Sequence, residues 1–283
     1  MKNTKEETVL TAEELKEMLC KIMNEEKDWS AEQERLLIAS MLEHIGSTDS
    51  ELRDSCIYGT FCKLTLEKRL DEELLKGLLD VCLSDHMLFS GIGDAGSDLV
   101  FTRSFTSLLI ALILYSDNES SFLTEDEVSR VKEKLILYVE SEKDFRGFVP
   151  AKGWAHSIAH AADAFDELAK NRFTDAKMHE ELLNALWQKA FVSSAVYIHD
   201  EEERIIVPIL EMLKSGMEPQ IVERLLQQLP AEIHKQKEQL KEENYWFLIA
   251  NAKKFLKSFY IMLEGDSELA GLQQSIKTCL LEL

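Results

Sequence analysis

Helix-start signals recur along this chain at short, similar intervals, and they restrict its fold more than any other feature. Thr11-x-x-Glu14, Ser30-x-x-Gln33, Thr48-x-x-Glu51 and Thr124-x-x-Glu127 each read as a capping box, in which the hydroxyl takes an orphan backbone N–H and the acidic or amide side chain reaches back to the cap. Apolar residues at i, i+3, i+4 spacing follow each one, the period of a single buried helix face. No strand of period two flanked by turn residues competes. Only 11 of 283 residues are glycine and 4 are proline, against averages of about 7% and about 5%. The signals predict an all-α chain of about a dozen helices, over roughly 11–23, 30–45, 49–65, 70–84, 98–116, 125–141, 154–169, 175–192, 199–214, 219–229, 231–264 (broken once near Asn244) and 267–282.

Helix pairs then repeat every roughly 40–50 residues, the period of HEAT- or armadillo-like arrays. The expected architecture is a single α-solenoid-like domain over 29–283, with 1–28 as a weakly anchored N-terminal helix region. The alternative is an irregular helical bundle or an α/α barrel. Pro219 and Pro230 suit the first turns of helices, and Pro208 falls inside an apolar helical pattern where a kink is expected. Gly46, Gly216 and Gly265 stand where helices should stop.

Composition limits the function. The formal net charge of −20 repels nucleic-acid phosphates and anionic membranes. Lys253, Lys254 and Lys257 come nearest to a basic patch and read as a solvated helix face. The most apolar run, Ser104–Tyr115, is bracketed by Arg103 and Asp117; it falls short of the about 20 residues a membrane span needs and reads as a core helix. Met1–Leu10 has no apolar stretch of the secretory kind. The five cysteines, Cys20, Cys56, Cys62, Cys82 and Cys279, form no C-x-x-C and are expected as buried free thiols in a reducing cytoplasm.

In a chain so poor in glycine, two loops concentrate it: Leu88–Ser97 (LFSGIGDAGS) and Asp144–Gly153 (DFRGFVPAKG). Each precedes a helix, and both are expected at the mouth of a functional pocket. After the second loop comes GWAHSIAHAAD. On a helix beginning at Trp154, His156, His160 and Asp163 share one narrow face, at about 100° per residue. Two imidazoles at i, i+4 with a carboxylate one turn on are a donor set for a divalent metal, and no other cofactor is expected. Without metal, Asp163 is expected to hold one imidazole by a charge-assisted hydrogen bond, raising its pKa. The H-E-x-x-H protease pattern is absent, because Ser157 stands in the place of the glutamate. Arg103, among Phe101, Phe105 and Leu108, should be paired or line a cavity. Asp94 and Asp98 are its candidate partners, Asp98 serving equally as a helix cap. Arg53 beside Asp54, and Asp144 with Arg146, read as ion pairs. The run His199–Arg204 (HDEEER) places acidic residues at the positive end of a helix dipole; in a sharper reading His199 or Asp200 supplies a further metal ligand. Rossmann, P-loop, nucleophile-elbow and EF-hand patterns are missing.

The segments GWAHSIAHAAD, DLVFTRSFTSLLIALIL and DFRGFV together resemble an uncharacterised bacterial family, domain of unknown function 2785, common in low-GC Gram-positive bacteria. The resemblance runs from about Trp29 to the C-terminus. It carries no activity. It implies a bacterial, cytosolic, all-helical protein with Trp154, His156, His160 and Asp163 as signature positions.

The expected function is a non-enzymatic interaction or scaffold role. A groove lined by Arg53, Arg103, Asp144, Arg146, Trp154, His156, His160 and Asp163 would take a peptide or a small anionic ligand. The alternative is a hydrolase, metal-assisted through His156, His160 and Asp163, with Arg103 stabilising developing negative charge.

Overall fold

The computed structural model describes residues 9–283; most of the Met1–Leu10 segment lies outside them. The chain runs through α1 (Ala12–Met23), α2 (Ala31–Glu43), a π-helical segment (Glu51–Tyr58) continuing into α3 (Gly59–Leu66), α4 (Glu72–Cys82), α5 (Leu99–Ser120) and α6 (Glu125–Ser141). A two-strand hairpin follows, β1 (Phe148–Val149) with β2 (Gly153–Trp154), then α7 (Ser157–Ala169), α8 (Ala176–Ala190), α9 (Glu201–Lys214), α10 (Pro219–Gln236), α11 (Glu242–Met262) and α12 (Ala270–Glu282). The all-α class holds, and the hairpin is the one departure from it among the described residues.

Local chemistry accounts for most boundaries. Both halves of the capping box form at Thr11–Glu14 and Thr124–Glu127. Ser30 precedes α2 without a side-chain cap bond. At the third predicted box it is Asp49 that does the capping: its Oδ1 accepts from the amides of Glu51 and Leu52 at 3.0 and 3.3 Å. Gly216 and Gly265 close helices at φ +98° and +85°. Gly46 has a different reason to be glycine, since a Cβ there would lie 2.0 Å from Thr102 Oγ1 and 2.9 Å from its backbone nitrogen. Pro230 is not at a first turn. α10 continues through it, and the break falls at 237–241, where α11 begins.

The closest helix pairings are α5 with α7 and α7 with α9. Ala159, Ala161, Ala162 and Ala164 on α7 are fully buried; their small side chains let the flanking backbones approach. α3, α5, α7, α9 and α11 succeed one another as neighbours, with α4, α6, α8 and α10 packed along that row. One core cluster runs from Leu15 and Leu19 of α1 to Ile276 and Cys279 of α12. α5 supplies its centre: Leu109, Ile110, Ile113 and Leu114 are almost wholly buried. This helix is long and apolar enough to cross a membrane by length and composition, with mean hydropathy 1.7, yet 72% of that stretch is buried inside the protein.

Candidate functional site

The hairpin moves the start of the signature helix. Ala155 N–H donates to Gly147 O at 2.9 Å and His156 N–H to Arg146 O at 3.0 Å, so these amides belong to the returning strand and not to a helix. At His156 the chain turns through a left-handed conformation, φ 46° and ψ 40°, and its carbonyl accepts the first helical bond, from His160 N–H at 2.8 Å. A non-glycine residue in this region is uncommon and held there by its surroundings. Ser157 Oγ anchors the turn by donating to Asp144 O.

The expected grouping of His156, His160 and Asp163 forms only in part: His156 precedes the helix, yet its ring still meets that of His160 edge-on with centroids 5.7 Å apart, while Asp163 turns to another partner. His160 turns inward. Ser104 Oγ donates its only proton to Ala155 O, so it accepts from His160 Nδ1 at 2.7 Å, and Nδ1 carries the proton. Burial pushes His160 well below the ordinary imidazole range, helped by His156 and two arginines. Asp163 holds no imidazole. It pairs with Arg204 of α9, whose Nε lies 3.0 Å from Oδ1, and lines a separate cavity with Tyr58, Tyr115 and Glu167.

The two buried arginines are also committed elsewhere. Arg103 forks onto Glu142, Nε to Oε2 at 2.7 Å and Nη2 to Oε1 at 2.8 Å, and caps Ser90 O at 2.8 Å. Neither side chain is exposed to solvent. Burial opposes the Arg103 charge, and Glu142 overrides it and holds the group above its ordinary value. Asp98 stands at the N-cap position of α5 without a side-chain cap bond, and its carboxylate meets Lys152 at 2.7 Å instead of Arg103. Arg53 donates to Ser47 O at 2.6 Å and Lys152 O at 2.9 Å, faces Asp54 at 2.8 Å, and stacks over Phe101 and Phe105. Both arginines organise loops and leave no charge for a ligand.

A different constellation does assemble. His156, His199 and Glu201 bring one donor atom each within 4.8 Å of one another. His156 Nε2 lies 3.4 Å from Glu201 Oε1, and His199 Nδ1 lies 3.7 Å from the same oxygen. Trp154 stacks on the His156 ring with centroids 4.4 Å apart and meets His199 edge-on at 5.2 Å. Glu201 is 3% exposed. Burial pushes its carboxyl up, but the neighbouring His156 ring and the His199 and Glu201 amides outweigh that and hold it below its ordinary value. The His199–Glu201 strip is itself fastened. Asp200 adopts a left-handed φ of 61°, and buried Asn251 of α11 accepts from Tyr197 N–H at 2.9 Å while donating to Val192 O and Ala195 O.

Beside these donors lies a groove of about 530 Å³, lined by residues of both glycine loops and by Ser194–Val196, Ile198, His199 and Glu201. Asp144 and Arg146 sit in its wall. Their carboxylate–guanidinium pair closes at 2.6 Å, Asp144 accepts from Gly96 N–H at 2.9 Å, and Arg146 reaches Ser97 O at 2.6 Å. Of the two glycine loops, residues 95–96 and 144–148 line this groove, which is not the pocket expected around Arg103, His160 and Asp163, since none of those three lines it.

Residues 88–261 match the model of a family described as a protein of unknown function, DUF2785. The chain belongs to this family. No curated protein and no solved structure matches it. The matched segment holds the groove and all three clustered donors, and starts well after Trp29.

Of the cluster, the sequence pointed to His156 and, as an outside ligand, to His199. Glu201 was hidden inside an acidic run that the helix dipole explains equally well. Gly147, which follows Arg146 in the second glycine loop, carried no signal of its own, yet a Cβ there would lie against His199 Nδ1 and Glu201 Oε1. Glu142 and Arg204, the true partners of Arg103 and Asp163, carried no local signal, being 39 and 41 residues away.

Proposed function

We propose that this is an interaction protein of the bacterial cytoplasm, built as a solenoid-like stack of helix pairs, whose working surface is the groove between residues 143–148 and 194–201. The observation that carries the reading is an exposed apolar rim beside cations. Ile198 is 69% exposed, Phe148 48% and Trp154 39%, while exposed Lys143 lines the groove beside Arg146, whose own charge is paired with Asp144. Exposed aromatic and aliphatic side chains around a concavity mark binding surfaces. The chemistry suits a short peptide, or a small anionic ligand, that offers an apolar anchor and a carboxylate. Neighbouring helices two apart in sequence support the stack, and five cysteines without a disulfide support the compartment.

Selection of a displayed random peptide library on the full chain tests this. Enriched peptides should carry an apolar anchor with an acidic group, and Ile198→Asp or Phe148→Ala should weaken them at least about tenfold. Peptides indifferent to both substitutions, or no enrichment, would turn the groove down. A second reading, metal-assisted hydrolysis, is favoured by the His156, His199 and Glu201 donors at the groove wall. Zinc-dependent turnover of an ester, amide or phosphoester panel, abolished in His199→Ala, is its test.

A further inference from the structure

We infer that His156 Nε2, His199 Nδ1 and Glu201 Oε1 form a zinc site with a fourth position left for water or a ligand. The inference is independent of the peptide-groove reading.

The donor spacing fits. Tetrahedral zinc with bonds of about 2.0–2.1 Å sets its ligands about 3.4 Å apart. The two imidazole nitrogens stand 3.4 and 3.7 Å from Glu201 Oε1. These separations are poor for hydrogen bonds, and His156 Nε2 makes none, although it is buried from solvent and its side chain is only 10% exposed. A buried ring nitrogen without a partner is costly, and a cation between it and Glu201 removes the cost. His199 Nδ1 has only a 3.4 Å approach from Phe148 N–H, too long to compete.

Orientation is built in as well. The other Glu201 oxygen, Oε2, accepts from His199 N–H at 2.9 Å, which leaves Oε1 free as a single donor. Trp154 stacked on His156 fixes that ring. Gly147 leaves open the space in front of His199 Nδ1 and Glu201 Oε1 that a Cβ would enter. Two imidazoles and one carboxylate with an open position are a zinc donor set.

The test is dialysis of the untagged, full-length protein against zinc, followed by elemental analysis, with visible spectroscopy of the cobalt(II) form. One zinc per chain is expected, with the intense absorption of tetrahedral cobalt bound by nitrogen and oxygen. His156→Ala, His199→Ala and Glu201→Gln should each weaken zinc by more than the about 10–100-fold that loss of an outer hydrogen-bond partner costs. His86→Ala, at an exposed histidine, should not change it. Circular dichroism checks that each variant folds. If one does not, the cobalt spectrum of the unaltered protein still decides. Thiolate-to-cobalt charge transfer, with zinc lost in Cys20→Ser/Cys56→Ser, would move the metal to the sulfur pair whose Sγ atoms lie 3.6 Å apart and overturn the site. So would the weak spectrum of six-coordinate cobalt, no retained zinc, or zinc unaffected by all three donor substitutions.

Discussion

Arg103 and Glu142 are both fully buried and face each other through two parallel hydrogen bonds. Their value lies in mutual dependence: either one alone is a bare charge in the core. Arg103→Met should lower unfolding free energy by about 3–5 kcal/mol in urea titrations, and Arg103→Met/Glu142→Leu should recover much of it. A double variant no better than the single one would show that the lost bond to Ser90 O, and not the orphaned carboxylate, sets the cost. Asp144 gives a pH-dependent counterpart. Burial raises its carboxyl, and Arg146 with the Gly96 amide overrides this and holds it below its ordinary value. A lowered folded pKa adds stability that is complete above the unfolded value of about 3.9 and is lost as pH falls through the folded one. Asp144→Asn should therefore cost about 1–3 kcal/mol at pH 7, and its gap to the unaltered protein should narrow toward pH 3. A gap constant with pH would mean that shape, not charge, matters there.

At the scale of elements, α5 and α7 were legible to different degrees. α5 continues beyond its twelve-residue run because Val100, Phe101 and Arg103 before it and Asp117 after it are buried, and that packing carries along weak helix formers such as Thr102, Ser116 and Asn118. Asp117, fully buried, accepts from Leu123 N–H and Asn171 and pairs with Arg172, which makes a polar end to the helix affordable. Leu109→Ala should cost about 2–5 kcal/mol, with Leu112→Ala at or below the low end, since Leu112 at 9% exposure lies nearer the edge than Leu109 at 1%. Equal losses measured by denaturation would contradict that gradient. For α7 the alanines foretold tight packing correctly, but the helix starts three residues late. Trp154, Ala155 and His156 have side chains compatible with helix. Trp154 pairs with Phe148, and the amides of Ala155 and His156 are claimed by the Gly147 and Arg146 carbonyls earlier in the chain; periodicity does not register that competition.

For the molecule as a whole, the main core cluster, which lies apart from a small one of Val100, Phe101 and Ala155, sets how its ends behave. α1 contributes Leu15 and Leu19, both fully buried, to the cluster that reaches α12, although it lies outside the family match. A chain beginning at Trp29 should melt at a distinctly lower temperature than the full chain, because it exposes the face α1 covers. An unchanged melting temperature would make residues 1–28 the loosely attached region that the sequence suggests.

What the sequence determined by itself is whatever depends on neighbours within a turn or two. Caps, the 3.6-residue period and the lack of glycine and proline dictate the all-α class and most helix spans, and glycine enrichment marks the two loops at the groove. The tertiary structure decided every pairing between residues tens of positions apart: Glu142 with Arg103, Arg204 with Asp163, and Glu201 and His199 with His156. A charged or imidazole side chain takes whichever partner the packed helices bring within about 3–4 Å. That distance is set by how α5, α7 and α9 stack and by the hairpin that turns His156 out of its helix, neither of which is written in the local spacing of residues.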